Sequence, residues 1–314
     1  MAGLARHRLA PVLAMTVLVL GAPLLFQSSY HYRVGALVLV FAIAACGLNL
    51  LMGFAGQVSL GHAGFLGIGA YAVAIGPAQF GLPSWICLLG GAAISGVVAL
   101  AVGRPILRLR GHYLAVATLG LGILVNIVLS NEASVTGGPD GMNVARLDLL
   151  GWRIRDAASW YWISSFTFLL GAALGSNLID GPTGRALRAI HDSEVAARTL
   201  GVDVAAKKLA VFAISAIYAS VAGSYLALIN GHVTPDVSNF LYSIELVAMV
   251  VLGGMGSVGG PLAGAAILVL LPQVLTILHD YEQMVLGLVI MGVMIFLRHG
   301  VVPSIAAAVA RSRS

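Results

Sequence analysis

Val34-Gly-Ala-Leu-Val-Leu-Val-Phe-Ala-Ile-Ala-Ala-Cys-Gly-Leu-Asn-Leu-Leu-Met-Gly53 opens the stretch that decides the fold. It is almost wholly apolar, and no Asp, Glu, Lys or Arg interrupts the chain between Arg33 and Arg104. A bilayer core of ~30 Å needs about 20 mostly apolar residues per helix. Residues 34–103 therefore hold three spans, with breaks where turn formers gather, at Gly53–Gly56 and Gly76–Pro83. Working outward at the same span length gives roughly ten spans: 9–27, 34–53, 58–76, 83–103, 112–131, 159–179, 209–230, 241–258, 261–279 and 283–298. The fold class that follows is an all-α polytopic membrane protein, one transmembrane domain over residues 1–314, with about ten (8–10) transmembrane helices.

Composition agrees. Of 314 residues, 59% are apolar and 9% are charged, against about 45–50% and about 25% in soluble domains. That excludes a soluble enzyme, a disordered tail and a nucleic-acid-binding domain. Glycine, at 39 residues, stands close to double its usual share of ~7% and follows no collagen period. Cys46 and Cys87 lie inside apolar runs and read as small packing residues rather than a disulfide or a metal site. Arg6 and Arg8 precede an apolar run, Leu9–Phe26, that is longer than the about 7–15 residues of a signal-peptide core. It reads as a retained first membrane helix.

The net charge of +5 is a matter of orientation. With both termini cytoplasmic, the inside segments hold Arg6, Arg8, Arg104, Arg108, Arg110, Arg185, Arg188, Arg198, Lys207, Lys208, Arg298, Arg311 and Arg313. Only Arg33, Arg146, Arg153 and Arg155 remain outside, the bias that the positive-inside rule requires. Two connections are long. The external one, residues 131–159, carries the turn string Thr136-Gly-Gly-Pro-Asp-Gly141, and Trp152, Trp160, Tyr161 and Trp162 suit an interfacial aromatic belt. The cytoplasmic one, residues 180–208, concentrates charge: Asp180, Arg185, Arg188, Asp192, Glu194, Arg198, Asp203, Lys207 and Lys208.

No nucleotide site can be built from this chain. A P-loop needs Gly-Lys-Ser/Thr, and the only lysines are Lys207 and Lys208, in Ala-Ala-Lys-Lys-Leu. ATP-driven transport would need a partner ATPase. The other energy source is an ion gradient, whose pathway intramembrane ionisable groups mark. Glu245, near the external end of span eight, and His62 are the candidates. Each has a plain alternative, a helix-start residue for Glu245 and a hydrogen-bonded interior residue for His62. Ser59 and His62 lie three positions apart but lack the oxyanion hole and activated base of a hydrolase. No catalytic residue and no metal ligand is assigned.

Glycine clusters twice, in Gly53-Phe-Ala-Gly-Gln-Val-Ser-Leu-Gly-His-Ala-Gly-Phe-Leu-Gly-Ile-Gly69 and in Gly253-Gly-Met-Gly-Ser-Val-Gly-Gly-Pro261. Small residues allow close helix packing. Paired glycine-interrupted segments also point to a transporter's substrate path, because irregular backbone at membrane depth survives only inside protein or along a cavity. Both readings stay open. The path set is Asn49, Gly53, Gly56, Gln57, Ser59, His62, Glu245, Gly253, Gly254 and Gly256.

The cytoplasmic connection reads Gly184-Arg-Ala-Leu-Arg-Ala-Ile-His-Asp-Ser-Glu-Val-Ala-Ala-Arg-Thr-Leu-Gly201. Leu187, Ile190, Ala197 and Leu200 form one helical stripe, with Arg185, Arg188 and Asp192 on another. One or two short helices parallel to the membrane follow, either held by lipid or docking a cytoplasmic partner.

At this point a resemblance enters. Glu194-Val-Ala-Ala-Arg-Thr-Leu-Gly201 resembles the EAA loop by which bacterial ABC permeases seat in their ATPases. Gly184–Ile190 is similar, more narrowly, to permeases of branched-chain amino acid importers, as are Leu48–Ala63, Thr136–Gly141 and Ile244–Ser257. The Gly-Pro-Asp-Gly loop resembles the M-type of the two paired permeases. The resemblance implies an importer subunit of the bacterial cytoplasmic (inner) membrane. Its implied partners are a second homologous permease, two cytoplasmic ATPases that bind ATP and Mg²⁺, and a periplasmic binding protein. It also implies ATPase coupling through Arg185, Arg188, Asp192, Glu194, Ala196, Ala197 and Gly201. Val195 departs from the general Glu-Ala-Ala pattern. Relatives of this family import urea, amides or aromatic acids as well. The readings from other classes are an ion-coupled secondary transporter acting alone and a channel-like facilitator; co-purification with an ATPase separates them from the importer.

Overall fold

The computed structural model describes residues 2–109, 111–149, 152–154, 156–274, 284, 287, 288, 291, 292, 295 and 300–311. Helix α1 (Ala2–Gly21) leads through a short 3-10 turn into α2 (Ser29–Asn49), which ends in a π-turn, Leu50–Phe54. After an irregular segment come α3 (His62–Phe80), α4 (Ser84–Ile106) and α5 (His112–Asn131). The next connection contains the single turn α6 (Ala133–Thr136), a 3-10 turn over Gly138–Asp140, and strands β1 (Met142–Asn143), β2 (Asp148–Leu149) and β3 (Trp152–Arg153). Then follow α7 (Ala157–Asp180), α8 (Pro182–Asp192), α9 (Glu194–Thr199), α10 (Val204–Asn230) and β4 (His232–Val233). A 3-10 turn, Pro235–Ser238, precedes α11 (Phe240–Gly253), α12 (Gly260–Val274) and α13 (Val301–Arg311).

The chain is an all-α polytopic membrane protein. Among the described residues, six helices are long and apolar enough to cross a bilayer: α2 with its π-turn, α3, α4, α5, α7 and α10. Three shorter apolar helices join them, Val12–Leu25, Phe240–Gly253 and Gly260–Gln273. The expected span 283–298 falls mostly outside the described residues. Helices α2 and α10 form the buried centre, and α5 is the most exposed. Close helix approach uses glycine. A Cβ at Gly69 would overlap the Ser220 carbonyl, and one at Gly223 the Leu66 carbonyl, so α3 and α10 touch backbone to backbone.

Several boundaries differ from the expectation, α1 (Ala2–Gly21 against 9–27) among them, and three differ for a visible reason. Span three begins at His62, because residues 55–61 run irregularly past Thr118 of α5, whose hydroxyl accepts the Leu60 N–H at 3.1 Å. Span eight ends at Gly253, because Gly254 (φ 113°) and Gly256 (φ 73°) take left-handed backbone that stops a helix. Span seven begins at Val204, so Lys207 and Lys208 are helical, and Asp203 caps the helix by accepting the Ala206 N–H at 3.0 Å.

Helix α11, at 14 residues, covers about 21 Å and cannot cross the bilayer alone. Its approach segment dips into the bundle. The 3-10 turn over Pro235–Ser238 is held by Asn126 of α5, which donates to the Pro235 carbonyl (2.8 Å) and the Ser238 hydroxyl (3.0 Å). The Gly-Gly-Pro-Asp-Gly turn closes over this segment: β1 pairs with β4, and His232 bonds the Asn143 side chain and the Asp140 carbonyl at 3.2 Å each.

The aromatic belt is only partly as expected. Trp162 is exposed, but Trp160 and Tyr161 are buried. Trp160 stacks edge-on against Tyr225 of α10, and Tyr161 donates to the Val19 carbonyl at 2.6 Å, so both tie α7 to its neighbours.

Candidate substrate path and coupling surface

The two glycine clusters meet. Asn49, buried on the last turn of α2, donates from Nδ2 to the Ser257 carbonyl at 2.8 Å and accepts the Gly256 N–H at Oδ1 at 2.9 Å. One side chain thus satisfies a donor and an acceptor of the irregular segment between α11 and α12. A Cβ on Gly53 would overlap the Gly256 nitrogen, so absence of a side chain lets the segments touch. Gly253 packs against the Gly260 carbonyl in the same way. Gly300 packs against Gly254, which brings the start of α13 to this junction.

Deeper in the bundle, His62 opens α3 with no exposed surface. Its Nδ1 lies 2.8 Å from Ser59 Oγ and its Nε2 lies 2.6 Å from Ser215 Oγ of α10. A neutral imidazole has one donor and one acceptor, and the serine hydroxyls supply the complement in either tautomer. Phe65 and Phe212 stand edge-on to the ring. The next backbone N–H, of Ala63, donates to Ser243 Oγ on α11 at 3.0 Å. The helix starts of α3 and α11 therefore face one another inside the protein. Gln57, between the two glycine-lined points, is buried with neither amide atom paired.

The residues expected to couple lie on α8 and α9, with Gly201 just beyond the end of α9. Leu187, Ile190 and Ala197 face inward, as the stripe requires, but Leu200 is 79% exposed. The reason is the break at Ser193, whose extended backbone and capping hydroxyl (3.3 Å from the Ala196 N–H) start α9 on a new phase. Arg185, Arg188, Asp192, Val195, Ala196 and Gly201 are exposed, so the outer face of this hairpin mixes charge with the bare side chains of Val195 and Leu200. Inward, Glu194 pairs with Lys208, which is 4% exposed on α10, and lies 3.8 Å from Arg198. The ring of His191 covers Gly56: a Cβ there would stand 2.9 Å from its Cδ2.

Asn49, Gly53, Gly253, Gly254 and Gly256 therefore form one junction, and Ser59 with His62 a second, with Gly56 and Gln57 between them. Glu245 lies exposed on the second turn of α11. Sequence reasoning missed Thr118, His191, Ser215 and Ser243, which lie in other segments and carry no local pattern. Among the described residues no group of His, Cys, Asp and Glu is placed to hold a metal.

Residues 33–296 match the family model described as the branched-chain amino acid transport system / permease component. The chain is 32% identical to the high-affinity branched-chain amino acid transport system permease protein LivM of Escherichia coli (strain K12), over 93% of this chain and 74% of that protein. It is 31% identical to LivM of Salmonella typhimurium, with the same coverage. Identity to LivH of Escherichia coli (strain K12) is 25%, over 73% of this chain and 79% of that one. No solved structure matches. With its glycine-broken spans and exposed α8–α9 hairpin, the chain belongs to the branched-chain amino acid transport system permease family, as an ABC importer permease subunit of the M-type.

Proposed function

We propose that this subunit forms the membrane path for branched-chain or closely related amino acids, together with a second homologous permease. Two cytoplasmic ATPases supply the energy by binding and hydrolysing Mg²⁺-ATP, and a periplasmic protein delivers the substrate. Both termini and α8–α9 face the cytoplasm of a bacterial cell, in whose inner membrane the protein is a multi-pass component. Closure of the ATPases displaces α8–α9, and the displacement reaches the path through packed contacts.

The observation that carries this reading is the contact chain itself. His191 of α8 rests on Gly56 in the first glycine break, and Asn49 ties that break's helix to Gly256 in the second. Packed elements with two discrete arrangements carry coupling of this kind. The path residues bear no permanent charge apart from Glu245, which fits selection by a binding protein. The test is co-purification: the tagged chain retains its ATPase, and Gly201→Trp loses ATPase and uptake while still inserting in the membrane. Normal uptake by that variant would refute the docking role.

A further inference from the structure

At the end of the bundle opposite α8–α9, a cavity of about 1030 Å³ lies among the starts of α2 and α7 and the end of α10. Among the described residues, the charged groups lining it are Arg33, Arg146 and Asp156. Arg33 spends one N–H on Asn230 Oδ1 at 3.2 Å, and a guanidinium has five. Arg146 makes no hydrogen bond or ion pair among the described residues. These two arginines belong to the small basic group on the side that the positive-inside rule leaves poor in charge, so orientation does not explain them.

A second cavity, of about 400 Å³, runs between α1, α2 and α12 and is lined almost entirely by apolar side chains. Phe26 and Tyr30 line both cavities, so the apolar groove begins where the charged one ends. Tyr30 donates to Gln273 Oε1 across the mouth. From Gln273 inward to Leu262, a span of eleven helical rises along α12, the groove runs about 16 Å. That is one leaflet's share of a ~30 Å hydrocarbon core. Leu18 and Leu270, on opposite walls, are exposed, which leaves the groove accessible from the side.

We infer that these joined cavities bind a phospholipid of the phosphatidylethanolamine type, with its phosphate on Arg33 and Arg146, its ammonium near Asp156 and one acyl chain in the α1–α2–α12 groove. A water-soluble solute has no use for a groove one leaflet deep, and a bare hydrocarbon has none for two arginines. An amphiphile uses both. Among the described residues, the presence of Asp156 beside the two arginines favours a headgroup bearing both charges over a purely anionic one.

The full-length chain, purified in detergent with its partner subunits, is titrated with phosphatidylethanolamine, phosphatidylglycerol or phosphatidylcholine, and retained lipid is read by native mass spectrometry. Phosphatidylethanolamine is retained roughly tenfold better than phosphatidylcholine, whose methylated ammonium has no N–H for Asp156, and better than phosphatidylglycerol. Arg33→Gln with Arg146→Gln removes that preference. Ala266→Phe, which fills the groove, lowers retention of all three lipids with an unchanged melting temperature. Equal retention of the three, or indifference to either variant, overturns the assignment. So does competition by glycerophosphoethanolamine without acyl chains, since the site would then be a headgroup pocket alone. Loss of binding-protein affinity in the arginine variant with lipid retention intact would make the cavity a protein dock instead, and equally overturns it.

Discussion

Asn49 and Gly256, 207 positions apart, are joined by a 2.9 Å hydrogen bond in which a side chain substitutes for the backbone partner that a broken helix lacks. Asn49→Ala leaves the Gly256 N–H and the Ser257 carbonyl without this partner, at about 1–3 kcal/mol for each group so orphaned. Thermal unfolding of the purified complex should fall by several degrees, and uptake with it. Asn49→Asp keeps the acceptor and should fall between the two. A melting temperature unchanged in Asn49→Ala would contradict the joint.

Gly53→Ala and Gly120→Ala test whether the glycines are needed for contact or are incidental. A Cβ at Gly53 overlaps the Gly256 backbone, whereas one at Gly120 meets nothing within 4 Å. Gly53→Ala should abolish uptake and destabilise by about 1–3 kcal/mol, as overpacking does. Gly120→Ala should be neutral or stabilising by about 0.5–1 kcal/mol through helix propensity. Equal behaviour of the two in a stability assay would count against close packing at the junction.

The Glu194–Lys208 pair pins α9 to the central helix. Lys208→Met leaves the part-buried Glu194 carboxylate without its lysine, and breaking a buried pair from one side costs about 3–5 kcal/mol. Adding Glu194→Gln should recover a good part of that loss. A double-mutant cycle on expression level and melting temperature reads the coupling; additive losses would mean the pair contributes nothing.

His62 stands between two serines, and the same logic applies on a smaller scale. Ser215→Ala removes one hydrogen bond and should cost about 1 kcal/mol. His62→Ala also leaves a cavity beside Phe65 and Phe212 and should cost about 2–5 kcal/mol. Uptake that survives Ser215→Ala but not His62→Ala fits a structural role. A proton-coupled role requires instead that uptake collapse with the membrane gradient while ATP is present.

Much of this is legible in the sequence. The charge-free run from Arg33 to Arg104 required buried helices, and the glycine clusters marked the breaks because little else tolerates such backbone at membrane depth. Periodicity implies one or two short helices over residues 184–201, but not the phase change at Ser193, which is why Leu200 leaves the stripe it shares with Leu187, Ile190 and Ala197 and is found exposed. Contacts across the chain were illegible. Ser215 is one of many serines on apolar helices, and nothing near Asn49 names Gly256 as its partner. Glu245 is legible in the sequence as the lone acid in a span, but its exposure on α11 is not.

The central claim is that motion of α8 reaches the path through His191 and Gly56. The imidazole of His191 is half-exposed, so His191→Ala removes the contact with little effect on the fold. Substrate imported and ATP hydrolysed, measured together in proteoliposomes holding the whole importer, give the decisive ratio. The account predicts that ATP hydrolysis persists in His191→Ala while import per ATP falls several-fold. An unchanged ratio would contradict it.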